Sequence, residues 1–212
     1  MLHFRESIVS RKKKNAYVAK YRRFLGMPQI EKQYADEYTK ITKTLKRSTG
    51  GLSNKAGLVL YNTIRTKKPE LVLETGVDEG YSSALILNAL NRNGGGKLVS
   101  IDVRNDVGSL TKGMDINRWR LVIREPSNAL KQTLDEMDNI DIFLHDSDHS
   151  YENMKFEFES IFPKLNQEGI LFSDDVGDNN AFMEFSESKG LKPLIIDDCG
   201  KVFGMLAANR LG

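Results

Sequence analysis

Apolar and polar positions along the chain fall into two regimes. Before residue 50 the apolar residues recur at helical spacing: Tyr17, Tyr21, Phe24 and Leu25 form one stripe, and Ile30, Tyr34, Tyr38, Ile41 and Leu45 form a second beyond Met27-Pro28. After residue 70 short apolar runs alternate with amphipathic stretches. Leu71-Val72-Leu73 predicts a buried strand that runs into Glu74-Thr75-Gly76, and Tyr81-Ser82-Ser83 starts a helix. Further strands are expected at Lys97–Asp102, Leu121–Arg124, Ile140–His145, Gly169–Ser173 and Leu194–Ile196, with Val202–Ala207 pairing back as a hairpin. Helices are expected at 82–91, 128–137, 151–165 and 181–189, and one capped by Ser53 precedes the first strand. Strands alternating with helices imply an α/β fold: a doubly wound, seven-stranded, mostly parallel sheet with an N-terminal helical extension.

Ser48-Thr49-Gly50-Gly51 divides the chain into a helical extension, residues 1–50, and a main body, residues 51–212. Charge sharpens that division. The first 50 residues carry 13 Lys and Arg against 4 Asp and Glu, whereas the remainder carries 18 against 25, so a basic arm is joined to an acidic body. Such an arm suits an anionic partner, a membrane surface or nucleic acid, and an exposed helical arm also suits pairing into a homo-oligomer; the bland reading is a solvated helix packed on its own body. The chain has one cysteine, Cys199, and no run resembling a signal peptide or membrane span, which points to the cytoplasm. Residues 103–118 lack periodicity and are long enough to form a lid.

Candidate chemistry gathers at the strand ends. In a doubly wound sheet the carboxyl ends of the strands share one rim, where ligands bind. Here that rim would hold Glu74 and Gly76, Asp102, the run His145-Asp146-Ser147-Asp148-His149, and Ser173-Asp174-Asp175. Crowded carboxylates raise one another's pKa, so something positive should sit among them. Asp102 closes the second strand where an acid can accept hydrogen bonds from both ribose hydroxyls. Asp78 and Glu79, inside Gly76-Val77-Asp78-Glu79-Gly80, would repel a pyrophosphate, and the glycine spacing is wrong for a nicotinamide dinucleotide. Asp146, Asp174 and Asp175 offer hard oxygens suited to Mg²⁺. His149 stands three residues beyond Asp146, where it could take a proton from an acceptor hydroxyl.

Glu74-Thr75-Gly76, Gly80-Tyr81-Ser82-Ser83 and Ser100-Ile101-Asp102 together resemble the class I S-adenosylmethionine-dependent methyltransferases. Residues 143–151 and 169–176 are similar to two further signatures of the metal-dependent O-methyltransferase branch, which includes catechol-type and macrolide-sugar enzymes. The resemblance implies a Rossmann-like methyltransferase fold, S-adenosylmethionine as methyl donor and Mg²⁺ as helper. It also implies Glu74 and Ser82 near the methionine part, Gly76, Gly80 and Tyr81 shaping the loop, Ser127 beside the adenine, Asp146, Asp174 and Asp175 on the metal, and His149 as base. Histidine at position 149 and an acidic pair at 174–175 match the sugar-modifying members, so the expected acceptor is a hydroxyl on a sugar or other small molecule. Two alternatives stay open: a metal-independent methyltransferase of the same fold, and a non-catalytic relative that uses its basic arm on nucleic acid or membrane.

Overall fold

The computed structural model describes residues 22–45, 51–123 and 126–208. The first helical stripe, through residue 21, the boundary residues 46–50, and Arg124 at the end of the third expected strand lie outside them. Six α-helices are described: α1 Lys32–Thr44, α2 Asn54–Lys67, α3 Tyr81–Asn93, α4 Pro126–Asp135, α5 Tyr151–Ile161 and α6 Ala181–Ser188. The strands are β1 Leu71–Thr75, β2 Lys97–Asp102, β3 Trp119–Ile123, β4 Ile140–His145, β5 Leu165–Ser173, β6 Leu194–Asp198 and β7 Lys201–Ala207. They form one sheet in the order β3-β2-β1-β4-β5-β7-β6, parallel from β3 to β5, with β7 antiparallel to both β5 and β6.

Neighbouring residues on each central strand point to opposite faces, as the two-residue period of a strand requires. Val72, Leu98, Ile142 and Ile170 join the layer covered by α1, α2 and α3. Leu73, Val99, Phe143 and Leu171 join the layer covered by α4, α5 and α6. Burial on both faces explains why these strands read as continuous apolar runs.

The described part of the basic extension packs on the body. Gly26 donates its N–H to the Ile195 carbonyl at 2.9 Å, and Leu25 bridges β6 alongside Ile195. On α1, Tyr38 and Ile41 are buried, and Glu37 accepts from Tyr61 at 2.8 Å and Arg65 at 2.9 Å. The second stripe is therefore a core-facing side. Several boundaries lie within two residues of expectation, among them β3, which starts at Trp119, and α4, which spans Pro126–Asp135; two differ by four. Helix α5 stops at Ile161 because Pro163 follows and the chain tightens into a 3-10 turn at Phe162–Lys164. Strand β5 then begins at Leu165 rather than Gly169, with a register shift opposite Ile140–Ile142. Among the described residues no helix is long and apolar enough to cross a membrane.

Candidate active site

The carboxyl ends of β1, β2, β4 and β5 meet at one rim, and the loop from Gly76 to Gly80 lies at its centre. Its shape is fixed by backbone. Gly76 has φ +82° and donates to the Ile101 carbonyl at 2.9 Å; a Cβ there would fall 2.1 Å from the Asp146 carbonyl oxygen. Only glycine fits that approach between β1 and β4. Gly80, at φ +85°, caps α3, and a Cβ there would lie 2.9 Å from Gly108 Cα.

Two acids support the loop and the helix it starts, each differently. Glu74 is fully buried beneath it and accepts from Ser82 at 2.5 Å, Ser83 at 2.6 Å and Ser100 at 2.7 Å. Burial pushes its carboxyl up against the pull of the three serines. The first turn of α3 is thus anchored by its own hydroxyls, and Glu74 acts from below rather than as part of a cavity wall. Asp102 holds the loop from the side: one carboxylate oxygen accepts the amides of Val77 at 2.8 Å and Asp78 at 3.3 Å, and the other accepts Arg104 N–H at 2.8 Å.

Glu157, on the buried face of α5, was not singled out from the sequence. It accepts from Thr75 at 2.6 Å, Ser147 at 2.8 Å and Asn153 at 3.3 Å, and pairs with His145 Nδ1 at 2.7 Å. Burial would raise its carboxyl, but His145 and the hydroxyls outweigh burial and hold it below the ordinary glutamate value. An acid among Met154, Phe158 and Ile161 was the signal available in the sequence.

The 103–118 segment is not a free lid. Gly108 donates to the Asp78 carbonyl at 2.7 Å and Leu110 to the Glu79 carbonyl at 2.8 Å, so the segment is fastened along the glycine loop by its own backbone. Trp119, which follows it, donates from Nε1 to Ser100 Oγ at 2.9 Å and so belongs to the support under Glu74.

Two cavities flank the loop, which forms a partition between them. The larger, about 430 Å³, is bordered by Ile101, Asp102, Val103, Leu130 and Glu157. Apolar side chains with an acid at the tip of β2 make a chamber suited to a nucleoside. The smaller, about 140 Å³, is bordered by Gly51, Tyr81, Ser82, Asp146 and His149. Gly76, Val77, Asp78 and Asp146 border both. A wider hollow of about 660 Å³ opens at the opposite rim, at Glu70, Asp141 and Asn166. There Asp141 accepts the amides of Glu70 and Leu71 at 2.8 and 2.9 Å, and its carboxylate serves the fold.

Beside the smaller cavity, donor atoms of Asp146, His149 and Asp174 lie within 4.8 Å of one another. Asp175, the third expected acid, adjoins Asp174 in a left-handed turn, φ +45°, but is not one of the three. Burial and then the charge of Asp174 push the Asp146 carboxyl well above the aspartate range. Burial likewise raises Asp174, against the Lys201 ammonium 2.7 Å away. His149 is pushed the other way, below the ordinary histidine value, by burial and by His145. Its Nε2 and Asp174 Oδ1 are buried without a hydrogen-bond partner among the described residues. The Asp146 and Asp174 carboxylates are hard oxygen donors that would suit a divalent ion such as Mg²⁺, with His149 beside them. The side chain of Ser127 lies outside the described residues.

Residues 73–176 match the family model described as a methyltransferase domain. A comparison with curated proteins gives no match. Among solved structures the chain is similar to an O-methyltransferase from Bacillus cereus in complex with SAH (17% identity, TM-score 0.65, covering 84% of this chain and 91% of that one). It is also similar to TomG, an O-methyltransferase of tomaymycin synthesis from Streptomyces achromogenes, in complex with SAM (16% identity, TM-score 0.63, covering 84% and 90%). The SAH-bound methyltransferase PaMTH1 of Podospora anserina matches at 16% identity with a TM-score of 0.59, covering 92% and 93%. With the strand order, the glycine loop between two cavities and the family model in agreement, residues 73–176 form a methyltransferase domain, in a chain that shares its fold with S-adenosylmethionine-dependent methyltransferases.

Proposed function

We propose that the protein transfers a methyl group from S-adenosylmethionine to a hydroxyl oxygen of a sugar or other small molecule, with a divalent cation such as Mg²⁺ assisting. The observation that carries this reading is the cluster of Asp146, His149 and Asp174 against the smaller cavity, across the glycine loop from the nucleoside chamber. Bound there, the cofactor supplies an electrophilic methyl group, and a divalent ion supplies the positive charge that favours an ionised acceptor oxygen.

The remaining work falls to the chain's own residues. Asp102 holds the ribose, and Gly76 to Ser82 shape the passage for the methionine part. Asp146 and Asp174 hold the ion, with Asp175 extending the acidic set from its turn. His149, neutral at physiological pH and bordering the acceptor cavity, receives the hydroxyl proton at Nε2. The fixed partition aligns acceptor and donor, and a small cavity limits the water that competes with the acceptor.

A second reading is favoured by Lys201. Its ammonium already stands against Asp174, so the cluster contains one cation of its own, and methyl transfer could proceed without a metal. The two readings separate on one variant. Under the first, Asp174→Asn abolishes Mg²⁺-dependent turnover while S-adenosylhomocysteine still binds in calorimetry. Full activity of the native protein in excess EDTA would contradict the metal's role.

A further inference from the structure

We propose that Lys201 is the resident counter-ion of the acidic cluster, and that a divalent cation enters by taking Asp174 from it. This inference rests on the metal reading above and concerns what the ion must displace. Lys201 opens β7 directly after the Cys199-Gly200 turn. The pairing of β7 with β5 sets Gly204 opposite Ser173, so Lys201 lies beyond the tip of β5, alongside the turn that carries Asp174 and Asp175. The Val176 amide, bonded to the Val202 carbonyl at 3.1 Å, pins that arrangement. The ammonium stands 2.7 Å from Asp174 Oδ2 and donates to the Gly51 carbonyl at 3.0 Å.

Lys201 stands against one oxygen of Asp174 and leaves the other, Oδ1, buried without a hydrogen-bond partner among the described residues, so the compensation of that carboxylate is incomplete. The buried, unpartnered Asp174 Oδ1 is where a stronger cation would gain most. A divalent ion and an ammonium sharing one carboxylate repel each other, and the doubly charged species has the advantage once its water is shed. Exchange has a consequence for the cavity. Gly51 is part of the wall of the smaller cavity, and the same hairpin turn is tied to the start of α2 through Lys55, whose N–H reaches Asp198 Oδ2 and whose ammonium reaches the Asp197 carbonyl, both at 2.9 Å. When Lys201 leaves Asp174, the Gly51 carbonyl loses the donor that draws it toward the cluster. Ion occupancy and the width of the acceptor cavity are then linked.

The test uses Mn²⁺ as probe on the metal-free full chain, followed by electron paramagnetic resonance and by calorimetry. Lys201→Met should bind Mn²⁺ at least tenfold more tightly than the native protein, about 1.4 kcal/mol. Lys201→Arg, which keeps the charge, should stay within about threefold of native. Retained S-adenosylhomocysteine binding establishes that each variant is folded, and structural damage would weaken the metal site rather than tighten it. Equal or weaker Mn²⁺ binding by Lys201→Met, with clear binding by the native protein, overturns the exchange and leaves the metal reading intact. No binding by any of the three at millimolar Mn²⁺ overturns both.

Discussion

Replacing Glu157 probes the hidden support of the rim most directly. Its carboxylate accepts from Thr75 at the end of β1, from Ser147 and Asn153 beyond β4, and pairs with His145. Glu157→Leu keeps the apolar contacts of α5 but strips the two hydroxyls and the imidazole of their acceptor. Each buried donor left unpaired costs about 1–3 kcal/mol. Thr75 and Ser147 border the larger cavity, where water can reach them, so the lower half of that range applies. The expected loss is about 4 kcal/mol, a large fraction of the stability of an ordinary domain. Glu157→Gln retains an acceptor and loses only charge assistance, for about 1–2 kcal/mol. Urea unfolding followed by circular dichroism measures both. The pH dependence gives an independent check. Because the carboxyl is held below its ordinary value, the unfolded chain takes up the proton first as pH falls. The stabilisation is therefore complete above about pH 4.3 and is lost as pH drops through the lower folded value. The gap between native protein and Glu157→Gln should close over that acidic range. A loss below about 1 kcal/mol for Glu157→Leu, or a native-to-Gln gap that is flat from pH 6 to pH 3, would refute this reasoning.

Two further outcomes test the rim itself. Gly76→Ala forces a left-handed backbone on an L-residue and drives its Cβ into the Asp146 carbonyl; strain and overpacking together should cost about 3 kcal/mol. Thermal unfolding should register that loss, with at least tenfold weaker S-adenosylhomocysteine binding, and native-like affinity would count against the partition. If His149 is the base, its lowered pKa sets the acidic limb of kcat/KM below about pH 6.5, with activity rising through that limb as the imidazole loses its proton. A limb at or above that value, or one that persists in His149→Gln, would remove His149 from the role.

Much of this architecture was legible in the sequence because parallel strands buried on both faces cannot hide. Leu71-Val72-Leu73 and Ile140–Leu144 had little else to be, and acids at their ends fell on the shared rim by topology alone. What stayed hidden depends on partners far apart in the chain. Glu157 meets Thr75 across 82 residues, and Lys201 meets Asp174 only because β7 lies antiparallel to β5; a lysine beside a turn looks like any solvated lysine until the sheet order is known. The expectation that something positive must sit among the acids was sound, yet it named a metal and overlooked an ammonium supplied by the chain. Residues 103–118 misled for a related reason. One of their ties to the glycine loop, Arg104 to Asp78 at 3.0 Å, joins exposed side chains 26 residues apart, and two others are amide-to-carbonyl bonds, which leave no side-chain signature.

That last property bears on how the protein can change over time. A clamp made of main-chain groups does not depend on which side chains decorate it. Exposed positions between Val103 and Arg118 that make no side-chain contact with the loop or the core are therefore free to drift in chemistry while the glycine loop keeps its shape. Gly108 is not among them: it sits at φ +77° with the Trp119 ring 2.8 Å from where its Cβ would be, and Arg104, paired with Asp78, and the buried Thr111 are fixed as well. The surface beside the larger cavity can be rewritten residue by residue, as long as those positions are spared.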